Sequence, residues 1–230
     1  SNIYLDQLDH LMEDQGFEMI RYADDFVILC RNRAEAEAAL AAVKAWVASA
    51  GLELNPEKTR IVDATREGGF DFLGYHFERG YKWPSAKSMR KCKDRIRVKT
   101  RRANGKSLDQ IVMDVNRTLK GWFEYFKHSH KTAFPCLDSW VRMRLRSILR
   151  KRHKRKGRVR GRDHNRWPNA YLHRSHPNDV ARTEKLTYVC YADEMTAGSN
   201  NNWMETEKAK AKMRRLFKNS MKNRTMYVLP

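Results

Sequence analysis

Charge is partitioned along this chain, and that partition most limits what it can fold into. Residues 1–80 carry 8 basic and 15 acidic side chains, residues 81–172 carry 28 and 6, and residues 173–230 carry 11 and 6. The middle stretch alone supplies the basic character, and so dense a set of like charges repels itself within a shared surface. Three units, 1–80, 81–172 and 173–230, are therefore expected, each with its own job. The net charge of +20 disfavours neutral small molecules as the main partners. It favours a polyanion, meaning nucleic acid or an anionic surface.

With 230 residues, 41% of them hydrophobic and 10% aromatic, the chain has enough apolar mass to bury a core. No apolar run is long enough to span a membrane. The start, Ser1-Asn2-Ile3-Tyr4-Leu5, is amphipathic and has neither an initiator Met nor a signal-peptide pattern. It reads as a piece of something longer, with a cytoplasmic, bacterial-type location expected. Cys30, Cys92, Cys136 and Cys190 lie far apart without a C-x-x-C pair. They point to buried, reduced thiols rather than to zinc or disulfides.

In the first unit the spacing predicts a helix over 3–15 with Ile3, Leu5, Leu8 and Leu11 on one side, stopped by Gly16. Two β-type runs, 17–22 and 26–30, flank Ala23-Asp24-Asp25 and predict a hairpin. Asn32 with Glu35 resembles a capping box opening a helix along Leu40, Val43 and Val47, closed by Gly51. Strands are expected at 52–54, 59–62 and 70–77, with Gly68-Gly69 as a turn. This is an α+β layer. The second unit reads as helices over 86–103 (Met89, Cys92, Ile96), from Ser107 onward (Leu108, Ile111, Val115, Leu119, Trp122) and from Pro135 (Leu137, Val141, Leu145, Ile148). Arg142, Arg144, Arg146 and Arg150 decorate the last. The sum is a basic helical bundle.

The chemistry concentrates at Tyr22-Ala23-Asp24-Asp25. Two adjacent carboxylates at a hairpin apex repel each other unless a divalent cation binds both. Nucleotidyl transfer uses such a site, one Mg²⁺ activating the attacking 3′-hydroxyl and another stabilising the leaving pyrophosphate. A solvated acidic turn is the plain alternative for a bare D-D pair.

The ordered set R-Y-A-D-D-F-V-I-L at 21–29, L-N-P-E-K-T at 54–59 and F-D-F-L-G-Y-H-F at 70–77 resembles the later palm motifs of group II intron reverse transcriptases. G-W-F-E-Y-F at 121–126 and R-W-P-N-A-Y at 166–171 resemble the thumb or maturase domain that follows. The resemblance covers about residues 1–171. It implies a partial polymerase palm followed by a thumb/maturase bundle, with Asp24 and Asp25 binding catalytic Mg²⁺ and Tyr22 beside the primer terminus. Lys58 would sit near the incoming triphosphate, placed to protonate the leaving pyrophosphate. Leu73, Gly74 and Tyr75 would belong to a strand gripping the primer. The partners implied are group II intron RNA and, in the full-length family, an RNA template with a DNA primer. The family's third catalytic aspartate and its fingers are not among these 230 residues. Mg²⁺ is therefore expected to bind weakly, and the chain as given is not expected to polymerise DNA.

Residues 150–162 read R-K-R-H-K-R-K-G-R-V-R-G-R. The nine cations Arg150, Lys151, Arg152, Lys154, Arg155, Lys156, Arg158, Arg160 and Arg162 are expected to stay extended until phosphate neutralises them. Trp122, Tyr125, Phe126 and His128 could stack on unpaired bases, although Trp122 and Phe126 also complete a helix stripe and are expected in the core. His128 and His130 have no second ligand pair, and His153 and His164 read as solvated.

S-H-P-N-D-V-A-R-T-E at 175–184, N-N-N-W at 200–203 and N-R-T-M-Y-V at 223–228 resemble the amino-terminal domain of GTP-dependent phosphoenolpyruvate carboxykinase. That likeness implies a substrate-binding role for Arg182 and a short mixed α/β tail, without the nucleotide loop or metal ligands of the whole enzyme. A composite follows, whether an insertion scar, a recombination product or an assembly artefact. Three readings stay open: a polymerase-inactive maturase remnant that binds intron RNA, a carboxykinase-derived small-molecule module, and a non-functional composite.

Overall fold

The computed structural model describes residues 2–159 and 161–172, and these form two compact units, 2–83 and 84–172. Arg160, and everything expected of 173–230 including Arg182, lie outside the described residues.

The first unit runs α1 (Asn2–Asp14), β1 (Glu18–Tyr22), β2 (Asp25–Leu29), α2 (Arg33–Ser49), β3 (Phe70–Phe72), β4 (Tyr75–Glu78) and β5 (Tyr81–Pro84). Strands β1 and β2 pair antiparallel with Tyr22 opposite Asp25, and β3-β4-β5 form a separate sheet. Strand β2 is buried on both faces. Phe26, Ile28 and Cys30 pack with Leu8 and Met12 of α1 and Ala36, Ala39, Val43 and Val47 of α2. Val27 and Leu29, pointing the other way, pack with Ala64, Phe70, Phe72 and Phe77. Each fully buried aliphatic side chain of this kind contributes about 1.5–3 kcal/mol, so β2 is the fixed centre of the unit. Ile3, expected on the core side of α1, is 93% exposed; Met12 takes that place.

Local signals set the ends of α2. Asn32 Oδ1 accepts from the Glu35 N–H at 2.8 Å, while Glu35 reaches back to the Arg31 N–H, one residue before the expected partner. At the far end Gly51 (φ 67°) lets Leu52 N–H reach Val47 O and Gly51 N–H reach Ala48 O, the double bond of a Schellman stop.

Two expected strands are absent. Residues 52–54 and 59–62 are irregular, and between them Asn55 closes a side-chain turn. Its Oδ1 accepts from the Glu57 and Lys58 N–H groups, and its carbonyl accepts from Thr59 N–H and Oγ1. The 70–77 stretch is a hairpin, not one strand. Leu73 (φ 48°) and Gly74 (φ 79°) are both left-handed, the requirement of a two-residue type I′ turn. Arg79 and Gly80 repeat it.

The second unit is α3 (Ala86–Lys99), α4 (Leu108–Phe126), α5 (Ala133–Arg152), α6 (Gly161–Arg166) and α7 (Asn169–Leu172). The stripes meet as expected: Cys92 and Ile96, then Ile111, Val115 and Leu119, then Leu137, Val141, Leu145 and Ile148 share one core with Trp167 and Leu172. Helix α3 stops at Lys99 with Thr100 as its cap, short of residue 103. Ser107 caps α4 through the Gln110 N–H, but the Gln110 side chain turns to Asp114, so the box is half formed. Helix α5 starts before Pro135, which sits in its first turn, where a missing N–H costs nothing. Phe126 is buried and Trp122 half-buried against it and Phe134, in the core as expected. Cys30 and Cys92 are buried, whereas Cys136, expected to be buried, is exposed.

Candidate active site and nucleic-acid interface

The acidic tip is built by β1 and β2. Their loop has only two residues, Ala23 and Asp24, with Asp25 opening β2. Ala23 adopts φ 54°, a left-handed conformation that costs a non-glycine residue about 1–2 kcal/mol. Arg21, which the sequence did not single out, braces this turn. Its Nε and Nη2 donate to the Asp9 carboxylate of α1 at 2.5–3.1 Å, and its Nη1 donates to Ala23 O at 3.0 Å. Hydrogen bonding to Asp9 opposes burial and raises the Arg21 pKa, with Asp6 and Asp24 adding to the rise. The carboxylates of Asp24 and Asp25 are exposed and make no hydrogen bond or ion pair among the described residues. Tyr22 is 66% exposed beside them.

Alternation along β2 puts Asp25 on the face of Val27 and Leu29. The cluster on that face also receives Leu73 and Tyr75, half-buried at its edge. One core thus carries both the acidic tip and the expected primer-gripping residues, with a correction: Leu73 and Gly74 form the hairpin turn and only Tyr75 lies in a strand. Lys58 is exposed on the Asn55-capped turn, and no hydrogen bond or ion pair links it to either aspartate. Two exposed carboxylates, with room for water and phosphate oxygens, suit Mg²⁺ in kind. Among the described residues, no three His, Cys, Asp or Glu side chains gather into a metal site.

The basic run is not an extended tail. Arg150, Lys151 and Arg152 end α5, and the chain then folds back through left-handed Lys154 and Gly157 into α6. Arg150 turns inward. Its Nη1 donates to both oxygens of buried Asp163, and its Nε and Nη2 donate to Lys156 O. One turn earlier, Arg146 is 2% exposed, against its expected surface position. Its Nε donates to Trp167 O at 2.8 Å and its Nη2 to Asn169 Oδ1 at 2.6 Å; burial lowers its pKa, with Arg142 adding. The W-P-N of R-W-P-N-A-Y is thereby the acceptor for a buried guanidinium. Lys151, Arg152, Lys154, Arg155, Lys156, Arg158 and Arg162 remain exposed around this clasp. His153 packs on Trp167, with ring centroids 5.5 Å apart, and Tyr125 is 48% exposed.

Comparison with known proteins divides the chain in the same order. Residues 1–77 match the reverse transcriptase (RNA-dependent DNA polymerase) family, 89–167 match the group II intron maturase-specific domain, and 145–230 match the phosphoenolpyruvate carboxykinase N-terminal domain. Among curated relatives, phosphoenolpyruvate carboxykinase (GTP) of Anaeromyxobacter dehalogenans is 48% identical over 68 residues, 30% of this chain and 11% of that protein. The enzyme of Neocallimastix frontalis is 57% identical over 63 residues, 27% of this chain and 10% of that protein. The chain thus spans about a tenth of the length of these relatives. The last two family matches share residues 145–167. There Leu145, Ile148, Leu149 and Trp167 are buried in one core with Ile96, Ile111 and Val141.

Proposed function

We propose that this chain carries the later palm of a group II intron-encoded reverse transcriptase joined to its maturase unit, and that it acts by binding intron RNA and assisting its splicing. The observation that carries this reading is the juxtaposition in sequence of an exposed Asp24-Asp25 tip on a doubly buried strand with a folded, exposed cationic loop at 151–158. The boundaries proposed are 1–80, 81–172 and 173–230. The shared core of residues 92–172 supports assigning the overlap 145–167 to the maturase unit.

Asp24 and Asp25 would hold Mg²⁺, which when bound supplies charge neutralisation at a triphosphate and activation of a 3′-hydroxyl. Arg21 keeps the turn in place by tying it to α1. Tyr22 lies next to the pair, at the position proposed for the primer end. Leu73 and Tyr75 rest on the same core and would grip the primer from the β3-β4 hairpin, and Lys58 would face the triphosphate. Two carboxylates hold the ion weakly, so these 230 residues are expected not to extend a primer. A primer-extension assay on an RNA template with Mg²⁺ checks this: product that disappears in Asp24→Asn would show a working site.

RNA binding is the activity proposed for the chain itself, mainly through phosphates. If about six phosphates are contacted, log Kd against log salt has a slope near 5 in magnitude. Replacing Arg152, Lys154, Arg155 and Lys156 together by Gln should flatten it by several units with the helical signal kept; an unchanged slope rejects the cationic loop as the interface. Arg150 is left out of that set because its guanidinium is engaged with Asp163 and Lys156 O. No helix of the described residues is long and apolar enough to cross a membrane.

A further inference from the structure

A second group of cations, which neither the sequence motifs nor the basic loop includes, gathers where α3, α5 and the α3–α4 loop meet. The Trp140 ring on α5 has Lys93 Nζ 5.8 Å, Arg97 Cζ 5.5 Å and Arg144 Cζ 5.8 Å from its centroid. Arg144 Nε donates to Thr100 Oγ1, and its Nη2 donates to Thr100 O and Arg97 O, which fixes it over the C-terminal end of α3. Its Nη1 has no hydrogen bond among the described residues. Arg102 is held through Nε by Ser147 Oγ at 2.5 Å, leaving both terminal nitrogens without one. Among the described residues, Asp94, paired with Arg97 and itself half exposed, is the one carboxylate in an ion pair with any of these four cations. Burial first, and then the neighbouring charges of Arg97 and Arg102, lower the Arg144 pKa.

We infer that Lys93, Arg97, Arg102 and Arg144 form a preformed site for the sugar-phosphate backbone of RNA, continuous with the basic loop. The continuity comes from α5. Arg144 and Arg152 lie eight residues apart, about 12 Å along a helix, and Arg152 Nη2 donates to Lys106 O of the same loop that carries Arg102. A 12 Å track is long enough for about three phosphates of one strand. The Trp140 ring is already faced by cations, so the site reads phosphate and not bases. It binds without sequence preference and sets how far the RNA path extends along the bundle. This rests on the reading of the chain as an RNA binder but concerns different residues.

The test measures RNA affinity of the full chain against salt. Arg97→Gln with Arg102→Gln removes two exposed charges and should reduce the magnitude of the salt slope by roughly 1.5, with the helical circular dichroism signal unchanged. Arg97→Lys with Arg102→Lys should restore the slope. An unchanged slope in the Gln pair overturns the site, and so does a Lys pair that loses as much as the Gln pair. A wild-type chain without salt-dependent RNA binding overturns both this site and the reading beneath it. Loss of slope confined to the basic-loop variant overturns this site alone.

Discussion

The acidic tip of the first unit and the basic clasp of the second solve opposite problems. At the tip, two like charges have no hydrogen-bond or ion-pair partner among the described residues, and the rigidity comes from apolar strands behind them: Val27, Ile28 and Leu29 are nearly inaccessible while Asp24 and Asp25 face water. At the clasp, rigidity comes from two of the cations themselves. Arg146 and Arg150 point inward to Trp167 O, Asn169 and Asp163, while the cations that follow them, from Lys151 to Arg158, stay exposed. Residue type therefore does not fix role. At the clasp the guanidinium of Arg150 is structural, and the cations one or two residues on are exposed to a ligand.

The sharpest way to break this contrast is to unpair the clasp. Asp163→Asn leaves the Arg150 guanidinium, whose side chain is 13% exposed, without its carboxylate. Losing one partner of a buried pair costs about 3 kcal/mol or more, read as a lower urea midpoint for the helical unit. Alkaline pH probes the apolar cores behind both regions. Burial pushes the Cys30 thiol up to about 11 and the Cys92 thiol up to about 12. The unfolded thiols ionise first, so stability is full below pH 9 and falls as pH rises through about 11 to 12. Thermal melts from pH 8 to 11 should show the decline, and Cys30→Ala with Cys92→Ala should flatten it. At the tip, Ala23→Gly removes the left-handed strain and should stabilise the first unit by about 0.5–1 kcal/mol, measured in the same urea titration. Asp24→Asn, on an exposed side chain with no partner among the described residues, should change stability by less than about 0.5 kcal/mol. A larger loss would mean that the carboxylates are structural.

Much of this was legible locally. Asn32, Ser107 and Gly51 announced helix ends because capping depends on a few neighbouring residues, and the stripes from Leu108 and Leu137 marked their buried faces because helical periodicity does. The tip was legible from two apolar runs around Ala23-Asp24-Asp25. What failed was non-local or short. Nothing near Arg146 shows that its acceptors lie 21 and 23 residues on, so it looked like surface decoration. Likewise Arg150 looked like part of a repelling run because Asp163 comes thirteen residues later. The 59–62 stretch carries β-type residues, yet it forms no strand and lies between two side-chain turns, at Asn55 and at Asp63. Within 70–77 the Leu73-Gly74 pair was a readable hairpin signal masked by the aromatic pattern on both sides.

The clasp makes residues 151–159 an interchangeable cassette. Arg146 fastens the returning chain at Trp167 and Asn169, and Arg150 fastens it at Asp163, so the polar bonds that join the loop's two stems come from α5. The loop is also tied inward: the Lys156 carbonyl accepts from Arg150, Arg152 Nη2 donates to Lys106 O, and the His153 ring packs on Trp167. Loops that keep the Arg152 and His153 contacts and differ in charge beyond them can be grafted between Arg150 and Asp163 with little effect on the core, so binding preference can drift while the scaffold stays the same.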